Sequence, residues 1–295
     1  NELRLTSGNL NSDNDTLGIN GTISGTGKIG FTNLSSLSFG GTGEITLAEN
    51  TFTSNPNIQN LEIDRTGGVV LSNQDFTIIG ELKLTTGNLQ VANTTLGING
   101  TTSGTAQIEL SSGSSLSFGG TDQYTIADNF FAGTTSINNL TINRTNGVVL
   151  GNQEFTINGT LDLERGELSA ESKTLNIVGN ISGNTGTIGT NNSTILNFTE
   201  NEITDPAIFL PNSIFSDNTL GTLSVNRTNG FYLGNQDIII SDDLILENGI
   251  IYPGANLIIF NAGSSFSTSS SEPLPADDDR FISGCVRKVG NTAFT

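Results

Sequence analysis

The sequence contains no histidine, no methionine and no tryptophan among its 295 residues, and it has one cysteine, Cys285. Without histidine, neither a Ser-His-Asp nor a Cys-His arrangement can form, and the commonest metal ligand and general base near neutral pH are missing. A single cysteine cannot form an intramolecular disulfide, so stability has to come from packing and hydrogen bonds. These absences disfavour most hydrolases and metalloenzymes.

Positive charge and long apolar runs are also scarce. The chain has 11 lysines and arginines against 29 aspartates and glutamates, which gives a net charge of -18. Nucleic-acid binding needs a basic stripe that displaces counterions, and an anionic membrane surface needs one too. The sequence has no run of apolar residues long enough to cross a bilayer. We therefore predict neither nucleic-acid binding nor membrane insertion.

What the sequence does contain is a long internal repeat. Residues 58–68 (IQNLEIDRTGG) return as residues 137–147 (INNLTINRTNG) and again as residues 221–230 (GTLSVNRTNG). The arginines of these three segments lie 79 and 83 residues apart: Arg65, Arg144 and Arg227. A fixed period of this length indicates a repeat architecture rather than a single globular domain.

Within each unit the apolar residues alternate with polar ones in short stretches. Such stretches lie at 140–142, 155–157, 161–163 and 175–177, and Asn-Gly pairs mark several corners between them. Three short strands make a coil of about 20 residues, and four coils make one unit of about 80 residues. We predict an all-β fold, a parallel β-solenoid. One inward-facing column is expected to contain Leu140, Leu161, Ile181, Ile203 and Leu223.

The predicted interior of the solenoid is aliphatic and aromatic. Its members are Leu37, Phe39, Leu116, Phe118, Leu140, Ile142, Phe155, Ile157, Leu161, Leu163, Leu196, Phe198, Leu223 and Val225. The alternative fold is a string of tandem β-sandwich domains, which the Asn-Gly pairs favour because they form hairpin turns. Sandwich strands are longer, however, and their turns are more widely spaced.

The domain organisation follows the period. We predict a repeat array over residues 1–262, with units at about 1–57, 58–136, 137–220 and 221–262. A Ser-, Pro- and Asp-rich junction follows at 263–280, because that composition breaks the strand pattern. Residues 281–295 are expected to begin a further β module. The chain starts within a repeat unit, so we expect it to be a piece of a longer protein.

The C-terminal segment carries a family resemblance. Its matching positions are Phe281, Gly284, Val286, Lys288, Gly290, Asn291, Ala293 and Phe294. This pattern resembles a signature of large secreted surface proteins of Bacteroidota, and Cys285 departs from it because proline is common there. The segment RTNGVVLGNQ at residues 144–153 is similar to repeats in such proteins. The resemblance implies a gliding-adhesin-like protein, exported by type IX secretion to the cell surface.

Two recurring polar motifs are candidate sites. Arg65, Arg144 and Arg227 would recur every fourth coil as a row of cations, which either contacts a ligand or covers a turn by bonding nearby carbonyls. An Asn-Gln-Asp/Glu motif recurs at residues 73–75, 152–154 and 235–237. Its amides are expected to bond backbone groups at a turn.

Acidic residues are densest at Asp277, Asp278 and Asp279, with a second pair at 242–243. Asp277–Asp279 form a weak calcium candidate, since the spaced carboxylate loop of a dedicated calcium site is missing. A solvated acidic turn is the alternative. We expect no other cofactor.

The sequence therefore favours a non-enzymatic structural or adhesive stalk segment of an extracellular, cell-surface adhesin. Its expected partners are glycans or a substratum and other modules of the same chain. The alternatives are a carbohydrate-active β-helix protein, either a polysaccharide lyase or a glycan binder, and a subunit of an extracellular filament. A lyase needs clustered carboxylates, a basic residue and aromatic platforms, and these residue types are scattered over separate units.

Overall fold

The structure is a computed structural model that describes residues 2–47, 49–133, 135–152, 154–268 and 280–290. All regular structure in this part of the chain is β-strand, as predicted. Helices are missing from it altogether, so it holds none that is long and apolar enough to span a bilayer. Most strands are three to six residues long, because tight corners interrupt the chain at short intervals.

The chain divides into two compact units, Asn1–Leu140 and Thr141–Thr295. The strands of the first unit are β1 (Glu2–Leu5), β2 (Asn9–Ser12), β3 (Thr16–Ile19), β4 (Thr22–Gly25), β5 (Lys28–Phe31), β6 (Ser36–Gly41), β7 (Ile45–Leu47), β8 (Asn57–Arg65), β9 (Val69–Ser72), β10 (Phe76–Thr86), β11 (Leu89–Ala92), β12 (Thr95–Ile98), β13 (Thr101–Gly104), β14 (Ile108–Leu110), β15 (Ser115–Gly120), β16 (Tyr124–Thr125) and β17 (Thr135–Ile137).

The remaining strands begin at the boundary or lie in the second unit. They are β18 (Leu140–Arg144), β19 (Val148–Val149), β20 (Phe155–Ile157), β21 (Thr160–Arg165), β22 (Glu167–Ser169), β23 (Thr174–Ile177), β24 (Asn180–Gly183), β25 (Thr187–Gly189), β26 (Ile195–Phe198), β27 (Ile208–Phe209), β28 (Thr219–Asn226), β29 (Phe231–Tyr232), β30 (Ile238–Tyr252), β31 (Leu257–Phe260), β32 (Ser265–Ser267), β33 (Arg280–Ile282) and β34 (Cys285–Lys288).

Strands pair in parallel with the strand one turn later, and the paired residues form columns along each unit. In the first unit one column runs through Leu17, Leu37, Leu61 and Leu82. In the second unit a column of the same kind contains Leu175, Leu196, Leu223 and Leu244. Because side chains alternate between the two faces of a strand, such a column places one apolar side chain per turn inside the coil.

The predicted parallel β-solenoid is confirmed, with about 13 turns about 20 residues apart. The strand pairs in the described parts of the chain run parallel, which excludes hairpin-built sandwiches of antiparallel strands. All fourteen residues of the predicted interior are buried, each with at most 1% of its surface exposed. The alternation of apolar and polar residues therefore identified the inner face correctly.

The expected position of Ile203 is wrong. This side chain is 68% exposed and lies in the turn after β26, not in an inward column. Ile195 in β26 pairs with Thr222, whereas the equivalent residue of the first unit, Ser36 in β6, pairs with Asn60. The turn after β26 is therefore three residues longer than the turn after β6. Counting in steps of 20 residues therefore fails at this turn.

One sequence repeat is slightly shorter than four turns. Leu17 and Leu96 occupy equivalent positions of two successive repeats. Leu17 belongs to the column that contains Leu37 and Leu82, whereas Leu96 pairs with Phe76. Phe76 and Leu82 are successive parts of β10 and lie in neighbouring columns. Equivalent residues of successive repeats therefore occur in different columns.

The segment with the family resemblance continues the stack. Strand β33 pairs in parallel with the end of β30, and β34 pairs in parallel with β31. The boundaries at 262 and 280, and the beginning of a further module at 281, stay predictions. Most of the predicted junction, including Asp277, Asp278 and Asp279, lies outside the described residues.

Candidate functional site

The recurring Arg-Thr-Gly/Asn-Gly segment forms the same turn in all three copies. The carbonyl of the arginine accepts a hydrogen bond from the glycine N–H three residues later. The N···O distances are 2.7 Å for Arg65–Gly68, 2.9 Å for Arg144–Gly147 and 3.0 Å for Arg227–Gly230. These glycines have φ values of 79°, 77° and 98°, a region that glycine enters without steric penalty. The repeat thus preserves a corner of the coil.

The arginine side chains of this motif point into the protein. Arg65 and Arg144 are 3% exposed and Arg227 is 1% exposed. The Nε and Nη1 groups of Arg65 donate hydrogen bonds to the carbonyls of Gly43 and Gly40. A buried guanidinium of this kind satisfies carbonyls that a wide turn would otherwise leave without donors.

Arg227 donates hydrogen bonds to the carbonyls of three residues. Its Nη1 donates to the carbonyls of Val178 at 2.6 Å and Thr199 at 2.7 Å, and its Nη2 donates to Gly179 at 3.2 Å. Burial lowers the pKa of Arg227, and the carboxylates of Asp205 and Glu200 act in the opposite direction. The Asp205 carboxylate lies 4.0 Å from Nη1.

Arg144 and Arg227 do not lie in one row. In the second unit Arg144 is the last residue of β18, and the sheet of β18 continues through β21 and β24. Arg227 follows β28, and β28 pairs with β26 and β30. These are different columns, because the repeat is shorter than four turns. Arg65 and Arg227 are buried and donate to backbone carbonyls, which is the geometry of the turn alternative.

The Asn-Gln-Asp motif connects three successive turns. The Nε2 of Gln74 donates to the Ser54 carbonyl at 3.0 Å, in the preceding turn. The next residue, Asp75, accepts from the Thr95 N–H at 2.8 Å, in the following turn.

The third copy of this motif behaves in the same way. Gln236 donates to the Phe215 carbonyl at 2.7 Å, and Asp237 accepts from the Leu257 N–H at 2.7 Å. The first and third copies therefore each join the turn before them to the turn after them. In the second copy Gln153 lies outside the described residues.

Metal-ligand clusters do not occur among the residues that the structure describes, where no three acidic or thiol side chains converge. The weak calcium candidate Asp277–Asp279 falls outside those residues. In the second acidic pair, Asp243 accepts a hydrogen bond from the hydroxyl of Ser265 in the following turn. This carboxylate also connects turns.

An open groove of about 720 Å³ lies on the outer face of the second unit. Asp162, Glu164 and Arg165 of β21 line it, together with side chains of the adjoining turns. Asp162 accepts from the Ser182 hydroxyl at 2.8 Å, and Glu164 accepts from the side-chain amide of Asn143. The groove is polar and lacks an aromatic wall.

Sequence reasoning missed a ladder of three aromatic side chains in the second unit. Phe209, Tyr232 and Tyr252 occupy paired positions of β27, β29 and β30. Their ring centroids are 4.4 Å apart at both steps, with interplanar angles of 14° and 11°. Phe209 is 65% exposed. The signal was present in the sequence, because one repeat has aromatic residues where the others have threonine, valine, glutamine or serine.

The chain was compared with known proteins in three ways. No family model, no curated protein and no solved structure matches it.

Proposed function

We propose that this chain is a non-enzymatic structural and adhesive stalk segment of an extracellular, cell-surface protein. The observation that carries this proposal is the use of the repeated polar residues. The arginine motif and the Asn-Gln-Asp motif both bond one turn of the solenoid to another. A repeat that copies such bonds extends a scaffold, since each new turn brings its own connections to its neighbours.

Composition supports the same proposal. A net charge of -18 favours solubility and opposes self-association, which suits a surface-exposed segment. The resemblance to repeat regions of Bacteroidota surface proteins points to the same location, with type IX secretion as the proposed export route and gliding adhesion as the proposed context. Glycans or a substratum are the proposed partners, together with other modules of the same polypeptide.

The proposal that this segment is not an enzyme has a physical basis as well. Asp162 and Glu164 are the carboxylates of the polar groove on the second unit, and both accept hydrogen bonds from neighbouring turns. They are thereby part of the network that joins the turns. Incubation with neutral and acidic polysaccharides should release no new reducing or unsaturated ends. Cleavage that Asp162→Asn or Glu164→Gln abolishes would overturn this part of the proposal.

Surface display is tested on cells of the source organism. Protease treatment of intact cells should release peptides of this segment, while a cytoplasmic marker protein stays intact. The mass of the native polypeptide, measured in parallel, should exceed that of the 295 residues, as a stalk within a longer protein requires. Peptides that appear only after lysis would contradict display. A free polypeptide of about this size would favour the filament-subunit alternative.

A further inference from the structure

We propose that Phe209, Tyr232 and Tyr252, here called the aromatic ladder, bind a neutral pyranose glycan on the second unit. This inference rests on the proposed adhesive function and gives that function a ligand class and a site. The ladder is distinct from the polar groove that contains Asp162 and Glu164. It also lies outside the two repeated polar motifs.

The repeat itself shows that the fold does not need aromatic residues at these positions. The equivalent outward column of the first unit contains Thr46, Val70 and Gln90, paired in the same parallel register. In the intervening repeat, Val149 pairs with Ser169 at the same positions. Each of these strands forms with a small or polar outward side chain. Three aromatic residues therefore accumulate in one copy for a reason other than building the coil.

The outer face of the first ring of the ladder is open. Tyr232 is stacked between Phe209 and Tyr252 at 4.4 Å on each side, so the faces between rings are covered. Phe209 is the first ring, and within the described residues its strand β27 pairs with β29 alone. The exposed fraction of 65% therefore comes from the outer face and the edges of the Phe209 ring. The result is a flat apolar platform one ring wide.

A glycine supports the other end of the ladder. A Cβ at Gly230 would lie 2.9 Å from Cε2 of Tyr252, so the tyrosine ring rests directly over this turn. At the equivalent Gly68 and Gly147 the nearest atoms belong instead to the backbone of Asn88 and Glu167. In this copy the Arg-Thr-Asn-Gly corner thus packs against the ring of Tyr252, and this contact holds the ladder in position.

A pyranose is the ligand that this surface fits. The C–H groups on one face of a sugar ring carry partial positive charge and stack on the negative face of an aromatic ring. Tyr232 and Tyr252 add phenol groups that donate and accept hydrogen bonds along the rim. The acidic chain, with its net charge of -18, repels anionic glycans. A neutral glycan meets all three conditions.

The ladder is too small for a protein partner. Its three centroids span about 9 Å, and the inner ring faces are covered. A stable protein interface needs about 800 Å² from each partner. Ile203, another exposed apolar residue of the second unit, lies outside the ladder, in the segment between β26 and β27, and serves as a reference position.

Binding is tested on the full chain by calorimetry and by saturation-transfer NMR. The probes are cello-oligosaccharides, β-1,3-gluco-oligosaccharides and β-1,4-galacto-oligosaccharides, with oligogalacturonate as the anionic comparison. At least one neutral probe should bind, and saturation transfer should come from ring protons of Phe209. Phe209→Thr, which copies Thr46 of the first unit, should weaken that binding about tenfold. Tyr232→Val copies Val70 and should also weaken it.

The control is Ile203→Thr, which removes another exposed apolar side chain and should leave binding unchanged. Because threonine and valine already stand at these positions in other repeats, the ladder variants should fold, and circular dichroism checks this. Binding that Phe209→Thr leaves intact, a preference for oligogalacturonate, or no binding of any probe would each overturn the proposal. A negative result here leaves surface display untouched, since protease treatment of intact cells tests that separately.

Discussion

The α-carbon of Gly249 faces the carbonyl oxygen of Arg227, one turn earlier in the chain, so closely that a Cβ would overlap that oxygen. The same relationship joins Gly87 to Arg65 and Gly166 to Arg144. Gly249 also has a φ of 79°. One coil after each arginine corner, the chain therefore has a position that leaves no room for a side chain.

Gly249→Ala should reduce the free energy of unfolding by about 3 kcal/mol or more, because strain at positive φ and overlap with the backbone add together. The matched control is Gly254→Ala. Gly254 has a φ of 65° but no atom near the position of a Cβ, so only the strain of about 1 kcal/mol applies. Urea unfolding of both variants measures the difference. Equal losses would show that the close approach is unimportant.

Arg227→Met should destabilise the second unit by about 3–5 kcal/mol, because it leaves buried carbonyls of Val178 and Thr199 without their donor. Arg287 is exposed, and Arg287→Met should change the free energy of unfolding by less than about 0.5 kcal/mol. Denaturant titration compares the two. If Arg227→Met were as mild as its control, the arginine would have no structural role and its turn geometry would need another explanation.

Asp237→Ala should reduce stability by about 1–2 kcal/mol, since the Leu257 N–H then loses an ionised acceptor. Asp237→Asn keeps an acceptor oxygen and should recover most of that loss. The measurement is thermal unfolding of both variants beside Asp242→Ala, which alters an exposed carboxylate. Equal effects of the alanine and asparagine variants would argue against a turn-connecting hydrogen bond.

Tyr252 should ionise at a higher pH than a free tyrosine, whose pKa is about 10. Burial raises its pKa first, and the neighbouring Tyr232 raises it further. Because the folded state holds this proton more tightly, the stabilising contribution is complete below pH 10 and is lost as the pH rises through the folded pKa. Phenolate absorbance of the wild type minus that of Tyr252→Ser gives the midpoint. A midpoint at or below 10 would contradict the packing of the ladder.

Much of the fold could be predicted because one physical signal repeats along the chain. Leu161, Leu163 and Phe155 alternate with polar residues, and all are buried as that alternation predicts. Ile203 could not be placed in the same way, because a longer turn shifts the register and no local pattern announces the shift. Of the candidate site, the recurring motifs were visible in the sequence, but the orientation of their side chains was not.

The fold class, the inner face of the strands and most of the corners follow from the amino-acid sequence alone, because these depend on local periodicity and on glycine and asparagine at turns. The remaining features depend on how the turns stack. The repeat is shorter than four turns, so Arg144 and Arg227 lie in different columns, and the buried guanidinium of Arg227 donates to carbonyls of other turns. Stacking through successive turns likewise brings Phe209, Tyr232 and Tyr252 together, although more than 40 residues separate the first from the last. Contacts between turns depend on the number of residues per turn, which is a property of the whole coil.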